Sequence, residues 1–410
     1  MRYFLLIIVS LFSLRLEAQV IPLSDYSRYP FIVASANELS FGGDSSTFNR
    51  FVEKLNHLQI AGDNTVRILH IGDSHIQADI FSGKVRELMQ LTFPGGNGGL
   101  ELVFPYRAAK TNGPAVYSSS GTGVWITQRN VQENAVDLGL LGISMSTYDS
   151  MATFQLNIRD NNPVIYDFQE VKIMSQLTPD SYHLRVNGLL PEKTDTLAET
   201  VISTYRLLNF SDNITCSFAA RLPGQKSFTL TGVLLNQETP GIIYNTAGVN
   251  GAEVRSFLRC NQLLTQVKFL HPDLIVVSLG TNDCYSVGWD RAAFEKNMEQ
   301  FVVSLKETSP ESAIILTTPA DNYRRRRYPN NDLPAMREIL FRIARQHKLI
   351  VWDLYTVMGG KNSMLRWLNS GLAARDKVHF SQEGYLLQGN LLFEAILESY
   401  TEFNSSKNAN

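Results

Sequence analysis

The chain has little cysteine, no excess of either charge and no long apolar run, and each shortage removes a class of protein. Three cysteines, Cys216, Cys260 and Cys284, are scattered among 410 residues. An odd number at wide spacing fits neither a disulfide framework nor a zinc site, so all three read as structural, with room for one bridge in an oxidising compartment. Lys and Arg number 37 against 39 Asp and Glu, a formal net charge of −2, which leaves no global field to draw in nucleic acid or an anionic membrane. The apolar run at residues 4–14 falls short of the roughly 20 residues a membrane-spanning helix needs, and no later segment approaches that length. There is no Gly-x-Ser-x-Gly elbow, no His-Glu-x-x-His zinc motif and no phosphate-binding Gly-x-x-x-x-Gly-Lys. No metal or other cofactor is called for.

What is present begins with Arg2, the short apolar run and the small-residue end Leu16-Glu17-Ala18 before Gln19. That is the pattern of a signal peptide over residues 1–18, so the chain is expected to be exported, periplasmic or secreted, without stable membrane insertion. No cysteine follows the expected cleavage point to accept a lipoprotein anchor. The length exceeds what one core organises, which favours two domains or one domain with a large insertion. Composition does not fix an oligomeric state.

Residues 66–71, Val-Arg-Ile-Leu-His-Ile, form a buried-strand run ending at Gly72, and helix-like sequence follows from about Ala78 to Leu91. Pro94 and four glycines at residues 93–99 then predict a break and a mobile loop. From Gly113 to Pro240 short runs alternate apolar and polar residues, as at residues 154–158, 182–186 and 228–233. Period two predicts antiparallel strands, here a β-sandwich inserted at 113–240. After Gly251 a βα rhythm resumes: helices at 252–268, 291–306 and 333–347, strands at 274–278, 313–317 and 349–353, and a last helix from Glu383 to Tyr400. The expected architecture is a three-layer α/β/α fold with a mostly parallel sheet, built from residues 19–112 and 241–403 and interrupted by the all-β insert, with a disordered tail at 404–410. Chemistry in such sheets sits at the carboxyl ends of the strands.

Gly72-Asp73-Ser74-His75 lies at the first such end, ahead of a helix, where a serine hydroxyl is well placed as nucleophile. A lone Gly-Asp-Ser more often does no more than cap the helix. Asp376-Lys377-Val378-His379 precedes the last helix; a carboxylate three residues before a histidine can reach the far ring nitrogen and fix its tautomer. Gly280-Thr281-Asn282-Asp283 puts the Asn282 amide at the same sheet edge, either as an oxyanion donor or as an ordinary turn residue. At residues 246–252, Thr-Ala-Gly-Val-Asn-Gly-Ala, Gly251 would bring a backbone N–H to a substrate oxygen and Gly248 would make a tight turn. Asp73, His75 and Gly248 are candidates for the pocket wall. Arg324 to Arg327 form a basic run that suits an anionic glycan or peptide stem, although solvated loops account for most such runs.

These four blocks, in this order, resemble those of the SGNH hydrolases. The resemblance implies Ser74 as nucleophile, an oxyanion hole from the N–H groups of Ser74 and Gly251 with the Asn282 side chain, and Asp376 with His379 completing a triad. The string Ile71-Gly-Asp-Ser-His-Ile-Gln-Ala-Asp79 and the insert are similar to the peptidoglycan O-acetylesterases of Gram-negative bacteria, in which a β-sandwich like a carbohydrate-binding module splits the hydrolase. The expected substrate is then an O-acetylated glycan, most simply peptidoglycan. An esterase or O-acetyltransferase acting on another polysaccharide, or a glycan-binding protein whose hydrolase has decayed, stays open at this level.

Overall fold

The computed structural model describes residues 26–408 except 134, 136, 137, 220 and 221. The expected signal peptide lies outside the described residues, as do the last two residues of the tail.

Six strands form the main sheet: β1 (Leu39–Phe41), β2 (Thr65–Gly72), β3 (Gly241–Gly248), β4 (Leu274–Ser278), β5 (Ala313–Thr317) and β6 (Ile350–Trp352). Their order is β1-β6-β5-β4-β2-β3, parallel throughout except that the edge strand β1 runs antiparallel to β6. Both faces are covered, which is why β2, β4 and β5 read as nearly unbroken apolar runs. Successive residues still part to opposite sides. Ile68, Leu274, Val276 and Ile315 join one buried cluster, whereas Leu69, Ile71, Ile275, Val277 and Leu316 join the other. The first cluster is closed by helices α1 (Ser46–Ala61), α2 (Phe81–Thr92) and α5 (Gln382–Asn408), the second by α3 (Arg291–Thr308) and α4 (Leu333–His347). In α1 the buried side chains Phe48, Phe51, Val52, Leu55 and Leu58 recur at helical spacing and make the inward stripe. This is the expected three-layer fold.

Between α2 and β3 the chain builds two antiparallel sheets. One contains Lys193–Leu197, Thr200–Ser211, Phe168–Gln176, Phe228–Asn236, Ile143–Thr147 and Ile126–Arg129 in that order, with Leu102–Val103 also paired to Phe228–Asn236. The other contains Tyr117–Thr122, Thr153–Ile158, Asn213–Phe218 and Leu184–Val186. Alternate residues such as Phe154, Leu156, Ile214 and Cys216 are buried together with Leu230 and Val233 of the larger sheet. Their cluster is continuous with the α3/α4 side of the main sheet. Gln266 fastens the seam: its carbonyl accepts the Leu140 N–H at 2.8 Å and its amide donates to Thr231 Oγ1 at 3.1 Å. A buried ion pair secures the other side, where Arg86 lies 2.6 Å from Asp79 and beneath the Tyr166 ring.

Several local expectations change. The stretch at 93–99 is not a loose loop: the Gly98 N–H donates to Ile242 O, the Ile242 N–H donates to Gly96 O at 2.7 Å, and the Gln90 amide donates to Gly99 O at 3.0 Å. Its glycines permit contact, since a Cβ on Gly98 would lie 2.9 Å from the backbone of Gly241. The helix expected from Ala78 begins at Phe81, after a separate turn at Ser74–Gln77, and the one expected at 252–268 is split into Val254–Leu258 and Leu263–Leu270. Residues 404–408 are helical, so the tail expected to be disordered continues α5. The three thiols are free and buried.

Candidate active site

The carboxyl ends of β2, β3 and β4 and the loop ahead of α5 meet at one edge of the sheet. β2 has to end in glycine, because a Cβ on Gly72 would sit 2.3 Å from Ile76 Cγ1 and 3.0 Å from Ser278 O. Asp73 caps the one-turn helix Ser74–Gln77, its Oδ1 accepting the His75 N–H at 2.9 Å. The capping task therefore falls to Asp73 and leaves the Ser74 hydroxyl for another partner. That partner is His379, whose Nε2 lies 2.9 Å from Ser74 Oγ across 305 residues of sequence. His379 Nδ1 lies 2.8 Å from Asp376 Oδ2, while Asp376 Oδ1 accepts the backbone N–H groups of Val378 and His379, each at 2.9 Å. Lys377 takes φ +59° to make this turn. Partial burial would raise the Asp376 pKa, but the two backbone N–H groups and the His379 ring outweigh it and hold the carboxyl below its ordinary value.

The glycine block differs in part from its expected form. Gly248 makes no turn; it is the last residue of β3, paired with Gly72, and a Cβ there would meet Gln77 N at 2.3 Å. Its role is close packing against the serine turn rather than a place on the pocket wall. Gly251 does adopt φ +81° and is exposed. Among the described residues neither its N–H nor that of Ser74 has a hydrogen-bond partner. The Asn282 amide donates to Ala252 O at 3.0 Å and to Asp73 Oδ2 at 3.2 Å, so both of its hydrogens are engaged in the free protein.

Around this core lie Gln77 and Asp283, which sequence reasoning passed over, together with the pocket-wall candidates His75 and Asp73. Gln77 is buried; its amide donates to Thr111 Oγ1 and Asn112 O, and its carbonyl accepts the Asn250 N–H at 2.6 Å. It thereby ties the serine turn to the loop carrying Gly251, a long-range role that no local spacing announces. His75 stands behind His379, ring centroids 5.2 Å apart, with Nδ1 3.0 Å from the Tyr385 hydroxyl. Burial lowers the His75 pKa, the adjacent His379 adds to this, and Asp73 opposes it. Asp73 is 1% exposed; burial raises its pKa against the pull of His75, His379 and the His75 N–H. Asp283 accepts the Val254 N–H at 3.1 Å and is pushed up to about 7, first by burial and then by Glu253 and Asp73.

A cleft of about 380 Å³ opens over Asp376 and His379, lined also by Asn282, Tyr285, Val378, Arg325 and Arg326. The basic run thus divides. Arg324 turns inward to Asp332 and Cys284 O, at 2.7 and 2.6 Å, so it is not part of a solvated loop. Arg325 and Arg326 face the cleft.

Residues 212–387 match the family model described as GDSL-like Lipase/Acylhydrolase. The chain therefore carries, over that span, a domain similar to the GDSL-like, or SGNH, hydrolases, and is a hydrolase of the esterase class. The matched span includes Gly251, Asn282, Asp376 and His379 and starts downstream of Ser74 and of most of the insert. Among solved structures, a peptidoglycan O-acetylesterase is 23% identical over 89% of this chain and 99% of its own, with a TM-score of 0.75, a likeness of fold that includes both parts of the molecule. A lipase/acylhydrolase from Enterococcus faecalis is 25% identical over 38% of this chain and 76% of its own, with a TM-score of 0.31. A family two carbohydrate esterase from Cellvibrio japonicus is 11% identical over 70% of this chain and 99% of its own, with a TM-score of 0.29. No curated protein matches the sequence. Among the described residues no helix is long and apolar enough to cross a membrane.

Proposed function

We propose that this protein is an exported serine esterase that removes O-acetyl groups from peptidoglycan, with Ser74, His379 and Asp376 as its triad. The observation that carries the reading is the continuous relay from Ser74 Oγ to His379 Nε2, at 2.9 Å, and from His379 Nδ1 to Asp376, at 2.8 Å. With its Nδ1 proton donated to Asp376, the ring presents the Nε2 lone pair to the serine hydroxyl. His379 takes the hydroxyl proton as Ser74 Oγ attacks the acetyl carbonyl. The negative charge then grows on the carbonyl oxygen, facing the unpaired N–H groups of Ser74 and Gly251. Asn282 is the third donor and joins when it releases its longer hydrogen bond, the one to Asp73. His379 returns the proton to the sugar hydroxyl as it leaves, and water, deprotonated by the same histidine, frees acetate from the acyl-enzyme.

The likeness to a peptidoglycan O-acetylesterase over 89% of this chain supports the choice of glycan. The domain organisation we propose is a hydrolase of residues 19–112 and 241–403 with 113–240 inserted. Acetate release from O-acetylated peptidoglycan, acetylated xylan and a small chromogenic acetate, measured for wild type and Ser74→Ala, tests the proposal. Preferential release from peptidoglycan that vanishes in the variant is expected. A variant with full activity would refute the mechanism, and release from xylan alone would refute the substrate.

A further inference from the structure

We propose that Arg325 and Arg326 form an anion subsite that holds a carboxylate borne by the glycan beside the acetyl ester under attack. This rests on the esterase reading for its ester, and on separate observations for its charge. The two residues sit at the tip of a hairpin of two-residue strands, Tyr323–Arg324 and Tyr328–Pro329, of which only Tyr323 is buried. Both lie at the centre of the turn closed by the Arg327 N–H to Arg324 O hydrogen bond, and both have positive φ, +51° and +63°. Turns with two such residues strongly favour Asn and Gly, so a pair of arginines is costly here for the fold alone.

The turn is fixed to the catalytic loop. The Tyr323 N–H donates to Lys377 O at 2.9 Å, and the Arg325 N–H donates to the Tyr285 hydroxyl at 3.0 Å. Both arginines are exposed, and both line the cleft that holds His379 and Asp376. Among the described residues neither guanidinium has an ion-pair or hydrogen-bond partner, in contrast to Arg324, which is spent on Asp332. Lys377, in the turn between Asp376 and His379, does not line the cleft and lies 5.1 Å from the Tyr323 ring centroid. The one carboxylate in the cleft wall, Asp376, is already committed to His379 and two backbone N–H groups. Two unspent guanidinium groups anchored to the loop of the catalytic histidine are complementary to a planar carboxylate, which an arginine fork binds in two-point fashion. A neutral acetylated glycan offers no such group.

The test compares kcat/KM for acetate release from 6-O-acetyl-N-acetylmuramic acid, from its carboxamide and from 6-O-acetyl-N-acetylglucosamine, in wild type and in the Arg325→Gln/Arg326→Gln double variant. Wild type should favour the carboxylate by about tenfold at low salt, expressed mainly in KM. The preference should shrink as sodium chloride is added, disappear in the double variant and return in part with lysine at both positions. The 6-O-acetyl muramoyl dipeptide, whose lactyl carboxyl is an amide, separates a carboxylate on the sugar from one on a peptide stem. Equal use of acid and carboxamide by wild type, or a preference that survives in the double variant, overturns the proposal. If no acetate is released from any of them, the esterase reading fails first. Calorimetric binding of N-acetylmuramic acid against N-acetylglucosamine then decides the subsite, and equal affinity for the two in wild type overturns it.

Discussion

Asp283 follows directly on Asn282 and should act as a pH-dependent burden on the fold. Its carboxyl is enclosed between the Asn282 turn and the helix Val254–Leu258, with the Val254 N–H as its hydrogen-bond donor. Burial, helped by Glu253 and Asp73, lifts its pKa from the ordinary 3.8 to about 7. Below pH 3.8 the group is neutral whether the chain is folded or not, and it costs nothing. Between these two values the unfolded chain releases the proton while the folded one keeps it, so stability falls as pH rises. Above pH 7 the cost is constant, and a pKa displacement of about 3 corresponds to roughly 4 kcal/mol. Asn at this position imitates the neutral acid and keeps an oxygen for the Val254 N–H. Asp283→Asn should therefore melt like wild type near pH 4 and gain up to about 5 °C at pH 8, given an unfolding entropy of about 2.1 cal/mol/K per residue. Calorimetric scans from pH 4 to 8 measure the difference. A gain that is the same at every pH, or a loss at pH 8, would show that the carboxyl does not ionise against its surroundings, and the reasoning fails.

Other perturbations have equally definite outcomes. Asp376→Asn can donate its amide to His379 Nδ1, which would place the ring proton on Nε2, facing Ser74; stopped assays should show kcat down by about 10⁴ with the melting point little changed. Asp79→Asn leaves the buried Arg86 charge without its partner and should cost about 3–5 kcal/mol in denaturant titrations, whereas the exposed pair Arg50–Glu311 should be worth less than about 1 kcal/mol. Burial raises the pKa of all three thiols, that of Cys260 and Cys284 to about 12. An aromatic disulfide reagent should accordingly find no reactive thiol in the native protein at pH 8 and all three after denaturation.

The readable parts of this molecule are those whose meaning is local. β4, β5 and α4 carry their own apolar period, and the serine, asparagine and histidine blocks each mark a strand end or a turn. β3 was harder, because Ile242, Ile243 and Tyr244 make a strand in any context and nothing in them says whether it joins the insert or the main sheet; the parallel partner Thr65–Gly72 decides that, and it is far away in sequence. The same holds for residues 93–99, where glycine signals a loop locally but serves to let the backbone of Gly98 lie against Gly241. Three-residue β1 is too short to show any period. α1 does show one in Phe48, Phe51, Val52, Leu55 and Leu58, so the helix is legible although its place on the sheet is not. At the site, the Ser74, Asp376 and His379 side chains lie together as their motifs imply, whereas the Gln77 bridge to Asn250 and the Asp73 bond to Asn282 are tertiary facts that no motif contains.

The placement of β2 and β3 also has a consequence in time. These neighbouring strands pair over eight residues from Thr65↔Gly241 to Gly72↔Gly248, and the whole of the β-rich insert is translated between them. Such a pairing closes a very long loop, and contacts of that separation form late and slowly. The proposed nucleophile, Ser74, is synthesised early, but His379, its proposed base, follows 305 residues later, roughly 15–60 s at common elongation rates. On the proposed mechanism an unfinished or cut-short chain carries the serine without its base, so the geometry of the sheet itself keeps the ester-cleaving chemistry silent until the last helix has docked.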